Sequence, residues 1–307
     1  MELLVGWVVL VILLQSHSAD GVRSDGAEAP RFKRLIGGRT ISDRGKWPWL
    51  VSLQGHVPGK TFFGIPLTIY ELYCGGSLLN DRWILTAAHC FYLRNGATKP
   101  DAWEARIAAV KIKPSASDYF MHVLGRVFSR QEWQQWNVDA EKIIIHPGYD
   151  ERSLWENDIA LVKLERSVPV GPTTTFVTSV ELPARQGDVS FPEDGQECVM
   201  KGWGCTSSGA TVSDHAMELS LPKLSDRECR RFWNVRRDTR LCAGYNLAAK
   251  GLCPGDSGGP LVCKRQDKWI QVGIASFSSA RSPGQVPGVF TRVSAYLDWI
   301  AKTIAEN

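Results

Sequence analysis

Gly255-Asp256-Ser257-Gly258-Gly259-Pro260 is the stretch on which the reading of this 307-residue chain turns. A hydroxyl is a poor nucleophile near neutral pH. It needs a base within hydrogen-bonding reach, and that base needs a partner to orient it. It also needs backbone N–H groups aimed at the place where negative charge develops. Glycines beside a serine let the backbone approach a carbonyl closely, and the N–H groups of Gly255 and Ser257 are the candidate donors. The same string on its own suits an ordinary turn, so its meaning depends on what else the chain carries.

Working outward, Thr86-Ala87-Ala88-His89-Cys90 offers a histidine beside a cysteine, and Asn157-Asp158-Ile159-Ala160-Leu161 offers an aspartate opening an apolar run. A single buried histidine is usually structural, and a single aspartate before a strand is usually a turn residue. With Ser257 present as well, base, orienting carboxylate and nucleophile are all accounted for. Around them lie short β-type runs broken by Gly, Pro, Asn and Asp. They include 49–53, 77–79, 159–164, 272–275 and 288–290. Many short strands with turn signals indicate an all-β barrel or sandwich. Only 294–305 has helical spacing, with Leu297, Ile300, Ala301 and Ile304 on one face.

The first residues indicate the compartment. Leu3 to Leu14 is apolar apart from Gly6, and Ser16, Ser18 and Ala19 follow. The run is short for a membrane span, and small residues follow it, so 1–18 reads as a secretory signal peptide, with an uncleaved anchor as the alternative. Residues 19–34 are polar and aperiodic and read as a pro-segment. They end in the basic cluster Arg31-Phe32-Lys33-Arg34, directly before apolar Leu35-Ile36. Eight cysteines, an even number in a secreted chain, imply up to four disulfides. The formal charge is only +4 and is spread along the chain, with no extended Lys/Arg-rich run beyond that short cluster, which argues against a nucleic-acid partner. Location is expected to be extracellular or in a secretory granule.

Taken together, the chain resembles a trypsin/chymotrypsin-family serine protease. The matching segments are Leu35-Ile36-Gly37-Gly38, Trp47-Pro48-Trp49, Cys74-Gly75-Gly76-Ser77-Leu78, the His89 and Asp158 segments, Gly202-Trp203-Gly204, the Ser257 segment and Pro287-Gly288-Val289-Phe290. Their order, His then Asp then Ser, is the family's. Trp47-Pro48-Trp49 and the segment from Cys74 to Asn80 look most like acrosin- and tryptase-type members. The resemblance covers 35–307. It implies an all-β fold of two packed antiparallel six-stranded β-barrels with a C-terminal helix, and a cleft between the barrels for the triad.

It also implies roles. Ser257 attacks a peptide carbonyl, His89 moves the proton, Asp158 orients His89, and Gly255 and Ser257 N–H groups form the oxyanion hole. Ser276 supports Asp158. Cleavage after Arg34 frees the amine of Leu35, whose expected partner is Asp256. Arg31-x-Lys33-Arg34 resembles a proprotein-convertase site, with trypsin-like cleavage outside the cell as the alternative. Protein or peptide substrates are implied, with no cofactor and no metal. The expected bridges are Cys74–Cys90, Cys198–Cys263 and Cys229–Cys242. The usual partner of Cys253 falls near Arg281, where no cysteine stands, and Cys205 is also without one. Those two are expected to bridge each other, the alternative being two free thiols.

The specificity pocket departs from the trypsin pattern. Gly251 stands where trypsin-like members carry an aspartate, Leu252 follows it, and Ser278 replaces a usual glycine beside Ser276 and Phe277, while Gly288 leaves the opposite wall open. An uncharged, apolar pocket implies cleavage after small to medium apolar residues rather than after Lys or Arg. The stretches 55–73 and 90–157 read as long loops beside the cleft, or as surface decoration.

Overall fold

The computed structural model describes residues 37–59, 61–62, 65–66, 68–112, 136–171, 177–205, 212–248, 250–279 and 284–307. The expected signal peptide, the pro-segment and the Arg34–Leu35 bond lie outside these residues, as does Arg281.

Six antiparallel strands close into a barrel in the order Leu50–Pro58, Ile69–Leu78, Trp83–Thr86, Ala160–Leu164, Trp136–Ile145 and Trp103–Ile107, the last pairing back onto the first. Alternation sets the inward face. In Trp103–Ile107 the residues Trp103, Ala105 and Ile107 are buried while Glu104 and Arg106 are less so. The core they enter includes Val51, Leu53, Leu85, Leu161 and Val162.

The second half is a seven-stranded antiparallel sheet in the order Arg39–Thr40, Met217–Pro222, Glu197–Gly202, Pro260–Arg265, Lys268–Phe277, Gly288–Arg292 and Arg240–Ala243. It rolls back on itself and meets at a single bridge, Lys223 with Ala243. Hydrogen bonds Leu224 N–H to Cys242 C=O and Gly244 N–H to Pro222 C=O flank that bridge. Where the resemblance implies a second six-stranded barrel, this half is thus a seven-stranded sheet, held to itself by that bridge rather than by full strand pairing as in the first. A cluster containing Ile41, Trp47, Leu50, Trp203 and Val262 draws residues from both halves into one packed layer.

The stretch read as a loop over 55–73 is largely strand. Residues 50–58 pair with 69–78 without a break, from Leu50 opposite Ser77 to Pro58 opposite Ile69. Its glycines and prolines suggest a loop, but the pairing of Gly55 with both Leu72 and Trp103 keeps it inside the sheet. Likewise 90–157 is not one loop, since it contributes two strands of the closed barrel. At the C-terminus a short 3₁₀ turn, Val293–Tyr296, leads into an α-helix over Leu297–Glu306. Its Ile300 is buried against the first barrel, together with Val293 and Tyr296. Thr303 shares that face, while Ala301 points to solvent. Among the described residues no helix is long and apolar enough to cross a membrane.

Four disulfides are present: Cys74–Cys90, Cys198–Cys263, Cys205–Cys253 and Cys229–Cys242. No cysteine is free. Cys198 and Cys263 face each other directly across paired strands.

Candidate active site

His89 lies in a 3₁₀ turn, Ala88–Phe91, that follows the strand Trp83–Thr86. The Cys74–Cys90 bridge ties this turn to the neighbouring strand. Asp158 precedes the strand Ala160–Leu164 and is wholly buried. His89 Nδ1 lies 2.8 Å from Asp158 Oδ2, and His89 N–H donates to Oδ1 at 2.9 Å. Ser276 Oγ donates to Oδ2 at 2.6 Å, and Thr291 Oγ1 donates to the Asp158 carbonyl at 2.8 Å. One carboxylate is thus held by both halves of the molecule. Burial alone pushes its pKa up. The His89 ring and the hydrogen bonds from His89 and Ser276 outweigh that, and the carboxyl sits below its ordinary value.

Ser257 follows a tight turn in which Gly255 has φ +97°. The loop is seated by Gly75 N–H, which donates to the Ser257 carbonyl at 2.7 Å. Gly258, at φ +75°, packs where a Cβ would lie 2.2 Å from Thr86 Oγ1, so only glycine fits there. Ser257 and His89 line one cavity of about 210 Å³ with Trp155, Leu252, Ser276 and Phe277. Among the described residues, neither Gly255 N–H nor Ser257 N–H donates to another group. Both are the donors expected from the sequence to face a developing oxyanion.

A scan of protein-family models matches residues 36–300 to the model described as Trypsin. The chain belongs to the trypsin family. As members of a serine-protease family, its relatives act on protein substrates, and its four disulfides are consistent with an extracellular setting.

Beside this family framework stand features the sequence pattern did not point to. The Trp155 indole stacks on the His89 imidazole, with centroids 5.0 Å apart and planes 14° from parallel. Leu154 and Trp155 both take positive φ, and buried Arg240 donates through Nη2 to both of their carbonyls. Trp155 also meets Phe277 edge-on, and Phe277 meets Trp233 in the same way. The trypsin-family cleft therefore has an aromatic wall running outward from the base.

Of the residues expected to form a specificity pocket, Leu252, Ser276, Phe277 and Ser278 line the cavity beside Ser257, whereas Gly251 and Gly288 are not among its lining residues. Gly251 is buried, and a Cβ there would lie 3.0 Å from Gly284 Cα. Leu252 reaches across the pocket, its Cδ1 only 2.5 Å from where a Cβ on Gly288 would stand. The room left by Gly288 is filled by leucine. The Ser278 hydroxyl is buried without a described partner. Among the described residues no three His, Cys, Asp or Glu side chains gather as a cation site needs.

Asp256 is also fully buried. Its Oδ1 accepts from Gly204 N–H at 2.9 Å and its Oδ2 from Cys253 N–H at 3.0 Å. Burial raises its pKa to about 7 against those two bonds. The carboxylate rests on Gly202 and Gly204, where any side chain would collide with it. That contact accounts for both glycines of Gly202-Trp203-Gly204.

Proposed function

We propose that this trypsin-family chain is a catalytically active, secreted serine endopeptidase, made as a precursor and processed after Arg34. The observation that carries the reading is the Ser276–Asp158–His89 hydrogen-bond chain opening onto the cavity shared with Ser257. In this reading Ser257 Oγ attacks the scissile carbonyl as His89 takes its proton. The carbonyl oxygen becomes an oxyanion facing Gly255 and Ser257 N–H. His89 then delivers the proton to the leaving amine, and the acyl-enzyme is hydrolysed by water through the same steps. Asp158 stays ionised and stabilises the imidazolium, in keeping with its lowered pKa.

The precursor reading rests on 1–18 as signal peptide, 19–34 as pro-segment and Arg31-x-Lys33-Arg34 as a convertase-type site. The freed Leu35 amine is assigned to Asp256, a buried carboxylate with no described cation beside it. No cysteine precedes Cys74, so the pro-segment is released on processing. For substrate, apolar Leu252 and Phe277 in the cavity wall, and Gly251 in place of a charged residue, favour small apolar residues before the scissile bond; Asp256, the carboxylate among the lining residues, is turned onto Gly204 and Cys253 N–H. Replacing Leu252 by Ala is expected to shift that preference toward larger residues by about tenfold or more in kcat/KM.

Peptide-library profiling of the processed chain against a Ser257→Ala control tests the proposal. Serine-dependent cleavage after apolar residues supports it, and no difference from the control refutes it. One observation favours a second reading, a protease-like binding protein of low turnover: Leu252 fills the space that Gly288 leaves. In that case the same profiling finds no cleavage while Leu252→Ala restores some.

A further inference from the structure

The turn Cys253-Pro254-Gly255-Asp256 is closed by Asp256 N–H donating to the Cys253 carbonyl at 3.0 Å. Proline second and a positive-φ glycine third, at +97°, mark a type II turn. Its middle peptide joins Pro254 to Gly255. Turning that peptide over by half a revolution converts type II to type I with little change at the turn's ends. A trans peptide is planar, so its N–H and C=O point opposite ways. The group that takes the Pro254 carbonyl therefore decides which way Gly255 N–H points.

That group is Cys205 N–H, which donates to the Pro254 carbonyl at 3.0 Å. Cys205 is buried, so a flipped peptide would leave this N–H without an acceptor and away from water. Cys205 is itself bonded to Cys253, the first residue of the same turn, with Cα atoms 5.4 Å apart. The residue before it, Gly204, holds one oxygen of Asp256, and Cys253 holds the other. A Cβ on Gly255 would lie 2.7 Å from Val212 Cγ1 and 3.2 Å from the Trp203 carbonyl, so the two segments are in close packing.

We infer that the Cys205–Cys253 bridge is a positioning device for catalysis. It keeps Cys205 N–H against the Pro254 carbonyl and so holds Gly255 N–H facing the cleft as an oxyanion donor. The device does not use the amine of Leu35. The inference rests on the enzymatic reading above and adds to it a chain-specific route to an assembled oxyanion hole.

The test removes the bridge by Cys205→Ala with Cys253→Ala in the processed chain, with folding checked by thermal melting. A misplaced oxyanion donor lowers kcat and leaves substrate binding alone. The expected result is a kcat about 10²-fold lower, with KM changed less than about twofold. Affinity for a peptidyl aldehyde should fall by the same factor as kcat, because its hemiacetal oxyanion needs Gly255 N–H. A merely structural bridge would lower the melting temperature and leave the ratio of aldehyde affinity to KM unchanged. Should the alanine pair fail to fold, Cys205→Ser with Cys253→Val is measured instead. A folded bridge-free chain that keeps both kcat and aldehyde affinity overturns the proposal alone. A bridged parent no more active than Ser257→Ala overturns the enzymatic reading, and the proposal with it.

Discussion

Asp158 and Asp256 are both fully buried, and their surroundings push them in opposite directions. Asp158 has an imidazole beside it, a serine hydroxyl and a backbone N–H, and its pKa is lowered. Asp256 has two backbone N–H groups and no described cation, and burial lifts its pKa to about 7. Burial carries the same kind of cost at both sites, so the partners decide the outcome. The first carboxylate has its full complement of partners. The second is seated in a cradle that lacks a positive charge, which is what processing after Arg34 would provide.

The comparison breaks most readily at Asp158. Asn in its place keeps the shape and removes the charge that fixes the His89 tautomer. A loss of about 10⁴-fold in kcat is expected, the size this exchange has in the Ser-His-Asp triad. Steady-state turnover of Asp158→Asn checks it.

Asp256 sharpens the contrast through pH. In the intact chain its folded pKa of about 7 exceeds the ordinary 3.8, so the neutral carboxyl favours the fold. Its contribution is fully present below pH about 4, declines as pH rises toward 7 and does not return above that. Asp158 acts in the opposite sense, its contribution present at neutral pH and lost on acidification. Denaturant midpoints of an uncleavable Arg34→Ala chain and of the processed chain, compared between pH 4 and 8, isolate Asp256. Their difference is expected to widen across that range, and parallel curves would contradict the assignment of Leu35.

A smaller effect is expected at the cradle itself. In Gly204→Ala the new methyl falls 2.1 Å from Asp256 Oδ2, so the carboxylate is displaced at a cost of about 1–3 kcal/mol. Thermal melting of the intact chain reads it. Smallest is Ser276→Ala, which removes one of the bonds to Asp158. About tenfold in kcat, with KM held, is expected from losing one charge-assisted bond.

What could be read from the sequence followed local chemistry. Three short motifs locate His89, Asp158 and Ser257, since each needs particular residue types within a few positions. Short apolar runs locate strands such as Ala160–Leu164 and Gly288–Arg292. What escaped depends on pairing at a distance. The stretch 55–73 looks like a loop because Gly55, Pro58 and Gly59 punctuate its start, and only the partner strands keep the first two extended. The stacking of Trp155 on His89 depends on positive φ at Leu154 and Trp155 and on Arg240 from the other half of the molecule. Leu252 is visible in the sequence as a wall of the pocket, but its reach to Gly288 is a matter of side-chain direction in three dimensions. The near-closure of the second barrel depends on one bridge between Lys223 and Ala243 that no local pattern announces.

Every role proposed for the cleft requires Ser257 to be an activated nucleophile. The most direct measurement is reaction of the processed chain with a fluorophosphonate, the modified residue being located by mass spectrometry. Rapid modification at Ser257 is expected, slowed by orders of magnitude in Asp158→Asn and absent in Ser257→Ala. A processed, folded chain that stays unmodified, or that reacts equally well without Asp158, would contradict it.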